Sequence, residues 1–137
     1  MLPTDAKERK KYPVVTGVLD YFPDAIAEIA HISYIGNEQH NPGEPLHWAR
    51  GKSTDQEDCM GRHLLGRGTR DSDGERHSAK LAWRALATLQ LELEAEGAPM
   101  ARGAKPPEAA PLVREVIAKV GKAENEPRNL NVHRWEP

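Results

Sequence analysis

Residues 75–95 read ERHSAKLAWRALATLQLELEA, and this stretch decides the fold. Ala79, Ala82, Leu86, Leu89 and Leu93 succeed one another in three- and four-residue steps, the spacing that keeps side chains on one face of a helix. A helix is therefore predicted over 75–95, with a seam shaped to meet other helices. Small residues at its start would let a neighbour approach closely.

Working back from this helix, Thr54 and Glu57 stand at the spacing of a capping box, which predicts a second helix over 54–65 with Met60 and Leu64 on one face. Residues 66–74 break it. Further back, Pro23 suits a first helical turn, and Ile26, Ile29, Ala30 and Ser33 line one face of a predicted helix over 23–35. Gly36 reads as its stop signal. Residues 37–53 are rich in Asn, Gly and Pro and read as a long connection, a length that is often functional inside a compact domain.

Beyond the central helix, 97–107 reads as a linker, 111–120 as a short last helix through Leu112, Val116, Ile117 and Val120, and 125–137 as a polar tail in which Trp135 suggests docking. No internal repeat and no sustained strand alternation are present. The expected architecture is an all-α bundle of about four helices. Residues 1–97 would form the helical domain with its N-terminal arm, and 98–137 the linker, short helix and tail.

A chain of 137 residues has room for one core. Apolar residues make up 38% of it but aromatics only 5%, so the core must be built from Ala, Leu, Ile and Val, which favours helices or burial shared with another subunit. The net charge of -2 and isoelectric point near 6.3 argue against a protein that binds nucleic acid by neutralising phosphates. The basic run of Lys7, Arg9, Lys10 and Lys11 reads as a solvated arm. No apolar run could span a bilayer and no signal-peptide core stands at the N-terminus, so the expected location is the cytoplasm. The single cysteine, Cys59, has no internal disulfide partner and agrees with a reducing compartment.

Two acidic sets carry the candidate chemistry. Asp24, Glu28 and His31 share one helical face by spacing, and Asp55, Asp58 and Arg62 repeat that arrangement on the next helix. Two such helices packed across the long connection would bring four carboxylates together, a cluster that needs cations, and oxygen ligands suit Mg2+ or Mn2+. A first-turn acid also favours the helix dipole by itself. Asp24 and Asp55 stand at such positions, so Glu28 and Asp58 carry the metal expectation. Around the second helix lie Arg50, Lys52, Arg62, His63, Asp71, Asp73, His77 and Lys80, positive groups that could share a polyphosphate's charge with a metal. His63 could equally be a hydrogen-bonded structural histidine, and Asp73-Gly74 a simple turn. Trp48, in the long connection, could stack on a base or plug the loop to the core. Trp83 lies beside the apolar seam and reads as packing. No P-loop, paired-cysteine zinc motif or serine nucleophile elbow is present.

These residues resemble the all-alpha MazG-like nucleotide pyrophosphohydrolases, whose motif is E-x-x-E on one helix and E-x-x-D on the next. Asp55-x-x-Asp58 matches the second half with Asp for Glu, and Glu28 the end of the first half. Ala25 stands where the preceding Glu would be, with Asp24 one residue earlier. The order Ala25-Ile-Ala-Glu-Ile-Ala30, Tyr34 to His40, His47-Trp-Ala-Arg-Gly51, Arg62-His-Leu-Leu65, Asp71-Ser-Asp-Gly74, His77 and Ala82-Trp-Arg84 is similar to the phage and bacterial branch of dATP/dGTP diphosphohydrolases. Within that branch it is similar to the enzymes of phages that replace adenine by 2-aminoadenine.

The resemblance implies a bundle completed by homodimer or homotetramer assembly, and hydrolysis of dGTP or GTP to the monophosphate and pyrophosphate, the dGMP feeding 2-aminoadenine nucleotide synthesis. It implies Mg2+ or Mn2+ on Asp24, Glu28, Asp55 and Asp58, with Glu28 and Asp58 catalytic. Trp48, Lys52, Arg62, His63, His77 and Lys80 are the expected substrate contacts, and neither nucleic acid nor membrane is an expected partner. A non-catalytic nucleotide-binding or phage interaction protein on the same scaffold is the alternative.

Overall fold

The computed structural model describes residues 2–105, and the expected last helix and the Trp135 tail lie outside them. The described chain is mostly helical. It runs α1 (Ala6–Arg9), a π-type turn (Val15–Leu19), α2 (Pro23–His40), β1 (Trp48–Ala49), a 3-10 turn (Arg50–Lys52), α3 (Gln56–Leu65), α4 (His77–Ala95) and β2 (Ala104–Lys105).

Helix α4 is the hub, as its seam predicts: α2 and α3 both pack on it and scarcely touch each other. Ala79 and Ala87 of α4 are buried along these contacts together with Cys59 of α3. Small side chains at those points allow close helix approach. The leucines of the seam are different. Leu86, Leu89 and Leu93 remain 52%, 51% and 41% exposed in a single copy of the chain.

Polar ties fix the helix pairs in register. Trp83 Nε1 of α4 donates to Ser33 Oγ of α2 at 2.8 Å. Arg84 of α4 donates to Ser53 Oγ at 2.6 Å and to Gln56 Oε1 of α3 at 3.0 Å.

Three boundaries depart from the sequence expectation. Helix α2 passes Gly36 and ends only at His40, because the buried Asn37 makes the next turn profitable: its Oδ1 accepts from Asn41 Nδ2 and the His47 amide, and its Nδ2 donates to the Glu44 carbonyl. Those bonds outweigh a helical glycine's cost of about 1 kcal/mol. Helix α3 begins at Gln56 without a capping box, since Asp55 Oδ2 is taken by Arg62 at 3.0 Å and Oδ1 by Ser53 at 3.2 Å. Helix α4 begins at His77, after Arg70 and Arg76 close an antiparallel bridge over a turn at Gly74, whose φ of +87° suits glycine.

The segment expected to be a linker contains structure. Ala104 and Lys105 pair in parallel with Trp48 and Ala49. Glu94 on α4 holds both approaches to this pair. It accepts two bonds from the Arg50 guanidinium, one from Gln90 and one from the Ala101 amide. The same guanidinium lies 4.5 Å over the Trp48 ring, a favourable cation–π contact. Arg50 is thus a structural clamp, and its neighbour Trp48 meets Trp83 edge-on at 5.8 Å.

Candidate functional site

Because α2 and α3 both lean on α4, the two-residue sheet bridges the space beside them and leaves a groove of about 800 Å³. Its apolar wall includes Ile29, Ile32, Leu86 and Leu89, and Trp48, Trp83 and Ala104 lie along it. Its polar lining includes Lys52, His63, Asp71, Asp73, Lys80 and Arg84. Residues from α2, the sheet, α3, the following loop and α4 therefore face one space. The volume falls within the range of small-molecule sites.

One cluster on that lining is built around Lys80. Its Nζ donates to Asp71 Oδ2 and Asp73 Oδ2, both at 2.7 Å. Burial disfavours the ammonium, but the hydrogen bonds and charges of the two aspartates outweigh that and raise the Lys80 pKa. The Lys80 hydrogen bond, helped by the Ser72 amide, holds Asp71 down to about 2, and Lys80 lowers Asp73 likewise. Both aspartates are carboxylates at neutral pH.

Beside them, the last turn of α3 and the first residue of α4 bring two imidazoles together. His63 Nδ1 and His77 Nδ1 lie 3.0 Å apart, sharing one proton as donor and acceptor. Burial, then the charges of Lys80 and His77, lower the His63 pKa. The approach depends on Gly66 at the end of α3, where a Cβ would fall 2.7–2.9 Å from three atoms of the His77 ring.

The expected site residues divide sharply by place. Trp48, Lys52, His63 and Lys80 line the groove, and His77 adjoins it through His63. Arg62 is not on the lining. It is exposed, donates to Asp55 and to Cys59 Sγ, and pulls the Asp55 carboxyl down to about 2. Asp24, Glu28, Asp55 and Asp58 are all exposed, and none lines the groove. Among the described residues these four carboxylates are not gathered within ligand distance of one another. His31, on the same face as Glu28 by spacing, pairs instead with Glu75 at 3.4 Å.

The His63–Asp71–His77 cluster is a grouping that sequence reasoning had in hand only as scattered charges. Among the described residues it alone brings three potential ligand atoms of His, Cys, Asp or Glu within 4.8 Å of one another. Two histidines flanking an aspartate across one short helix break were the available signal. What was missing was the tight return at residues 69–77, where Asp71 N donates to Glu75 O and His77 N to Thr69 O. No family model, curated protein or solved structure matches this chain. No described helix is long and apolar enough to cross a membrane.

Proposed function

We propose that the chain is a nucleoside triphosphate pyrophosphohydrolase, with dGTP the favoured substrate, acting in the groove beside α4. The observation that carries this reading is convergence: Trp48, Lys52, His63 and Lys80, which the sequence marks as nucleotide contacts, come from four different elements and line one groove.

In this reading the apolar wall and the tryptophan edge receive the nucleoside, and the triphosphate lies toward Lys52, Lys80 and Arg84. The triphosphate enters as its Mg2+ or Mn2+ complex, which lowers the charge those residues must meet. Water attacks the α-phosphorus, the bond from that phosphorus to the bridging oxygen breaks, and pyrophosphate leaves as the water's proton passes to solvent or a nearby base. The product is the nucleoside monophosphate, and no step is assigned to Asp24, Glu28, Asp55 or Asp58. The guanine preference rests on the sequence resemblance alone. Assembly as a homodimer or homotetramer, which the sequence resemblance implies, belongs to the same proposal.

The test is incubation of the full chain with each common nucleoside and deoxynucleoside triphosphate and Mg2+ or Mn2+, with products resolved by ion-exchange chromatography. Monophosphate and pyrophosphate, formed fastest from dGTP, are expected. Release of inorganic triphosphate, or no product from any substrate, overturns the reading. Lys52→Met should raise KM with little change in kcat. Glu28→Gln and Asp58→Asn should turn over at near the parent rate, and a loss of activity in both would move the site out of the groove.

A further inference from the structure

We infer that His63, Asp71 and His77 form a binding site for a borderline divalent cation such as Zn2+ or Co2+, opening onto the groove. The inference goes beyond the proposed hydrolysis and does not depend on it, because it concerns a resident ion and not the cation that accompanies a triphosphate.

Geometry is the first support. The three ligand atoms lie within 4.8 Å of one another, and the two imidazole nitrogens are 3.0 Å apart. With metal–nitrogen bonds of about 2.1 Å, two such nitrogens would be about 3.0 Å apart on adjacent octahedral positions and about 3.4 Å on tetrahedral ones. The observed separation matches the spacing such an ion sets, and the two rings would turn from facing each other so that both nitrogens meet at the ion.

The three side chains also come from separate places that the fold brings together deliberately: the end of α3, the loop after it, and the first residue of α4. All three residues are half-buried, and the ring of His77 occupies space that only a glycine at position 66 leaves free. An ordinary surface cluster would require neither.

Charge and chemistry agree with that geometry. Asp71 supplies a carboxylate oxygen and the two histidines supply imidazole nitrogens, ligand types that such an ion takes. Asp71 is itself oriented, its Oδ1 by the Ser72 amide and its Oδ2 by Lys80, the kind of outer support that ligating carboxylates use. Lys80 opposes a cation here, but Asp71 and Asp73 together outweigh its single charge. Two nitrogens in a set of three favour the borderline metals over Mg2+, which prefers oxygen. Three protein ligands leave coordination positions open, and His63 and Asp71 both face the groove. A water or a phosphoryl oxygen entering there would complete the shell.

Without an ion, the two histidines would simply share an Nδ1–H···Nδ1 hydrogen bond. The discriminating experiment is titration of the chelator-treated full chain with Co2+, Zn2+ and Mg2+, followed by calorimetry and, for Co2+, visible absorption. One equivalent of Co2+ with ligand-field bands, displaced by Zn2+ and not by equal Mg2+, is expected. Asp71→Asn and His77→Ala should each weaken binding at least tenfold, whereas Asp58→Asn should leave it within twofold.

A second measurement leaves the sequence untouched and so avoids any effect on folding. Imidazole nitrogen NMR of the unaltered chain with Zn2+ should shift the side-chain signals of His63 and His77 out of six histidines. No stoichiometric binding, or shifts confined to other histidines, overturns the site.

Discussion

Replacing Gly66 by Ala sets two effects of known sign against each other. The backbone at Gly66 has φ -84° and ψ 5°, a conformation open to any residue, so Ala would ordinarily stabilise by about 0.4–1 kcal/mol through the unfolded chain. The added Cβ, however, would stand 2.7 Å from the His77 ring. Restoring ordinary contact requires a retreat of about 0.8 Å. The atoms crowded include Cγ, at the root of the ring, so a swing of the ring tip does not relieve the clash. Overpacking of this kind costs about 1–3 kcal/mol.

The steric term wins, and Gly66→Ala should be destabilising by about 1–2 kcal/mol, or about 3–5 °C in Tm for each kcal/mol in a chain of this size. The decisive comparison is made in a His77→Ala background, where the ring is gone. There the same substitution should become neutral or stabilising. Urea unfolding of the parent, both single variants and the double variant reads the cycle directly. A stabilising Gly66→Ala in the parent, or an equal penalty with and without His77, would refute the claim that Gly66 exists to seat the ring.

Asn37→Ala should cost about 1–3 kcal/mol by removing a buried side chain whose partners are then left unsatisfied, and amide exchange should show the last turn of α2 and the Glu44–His47 loop opening together; protection unchanged at His47 would count against the bond assigned to it. Acid stability offers a separate check. The Arg50 hydrogen bonds, with Gln90 next, hold Glu94 down to about 2 from an ordinary 4.5. Its contribution to folding is therefore complete above about 4.5 and is lost as pH falls through 2. Glu94→Gln should lower stability at pH 7, and the gap to the parent should narrow steadily below pH 4.5 in acid unfolding curves; a constant gap would show that the carboxylate's charge is not what Arg50 responds to.

The parts legible in the sequence were those set by local periodicity. Helix α4 lies within two residues of its expected start and ends where expected, because its seam repeats over several turns and needs no partner to be recognised. The extension of α2 was hidden because Gly36 is a breaker by propensity, whereas the bonds of Asn37 reach across a turn to residues as far as His47. The two-residue strands are too short to carry an alternating pattern.

For the candidate site, residue types were legible and their grouping was not. Lys52, His63 and Lys80 stood out by charge, yet spacing along a helix says only which residues share a face, not which helix the face meets. The expectation that α2 and α3 would pair across their connection followed from their being neighbours in sequence. Both turn to α4, and the groove lies between the resulting pairs.

The parallel pairing of Trp48 with Ala104 sets an order of events during synthesis. Helices α2, α3 and α4 are all complete in the growing chain before β2 exists, and chains are made at only about 5–20 residues per second. For that interval Glu94 has neither the Ala101 amide nor the strand beyond it, and one wall of the groove is missing. A nascent chain stalled with residue 97 outside the ribosome should therefore hold its helices and lack the finished groove, so that translation itself delays completion of the groove until β2 emerges.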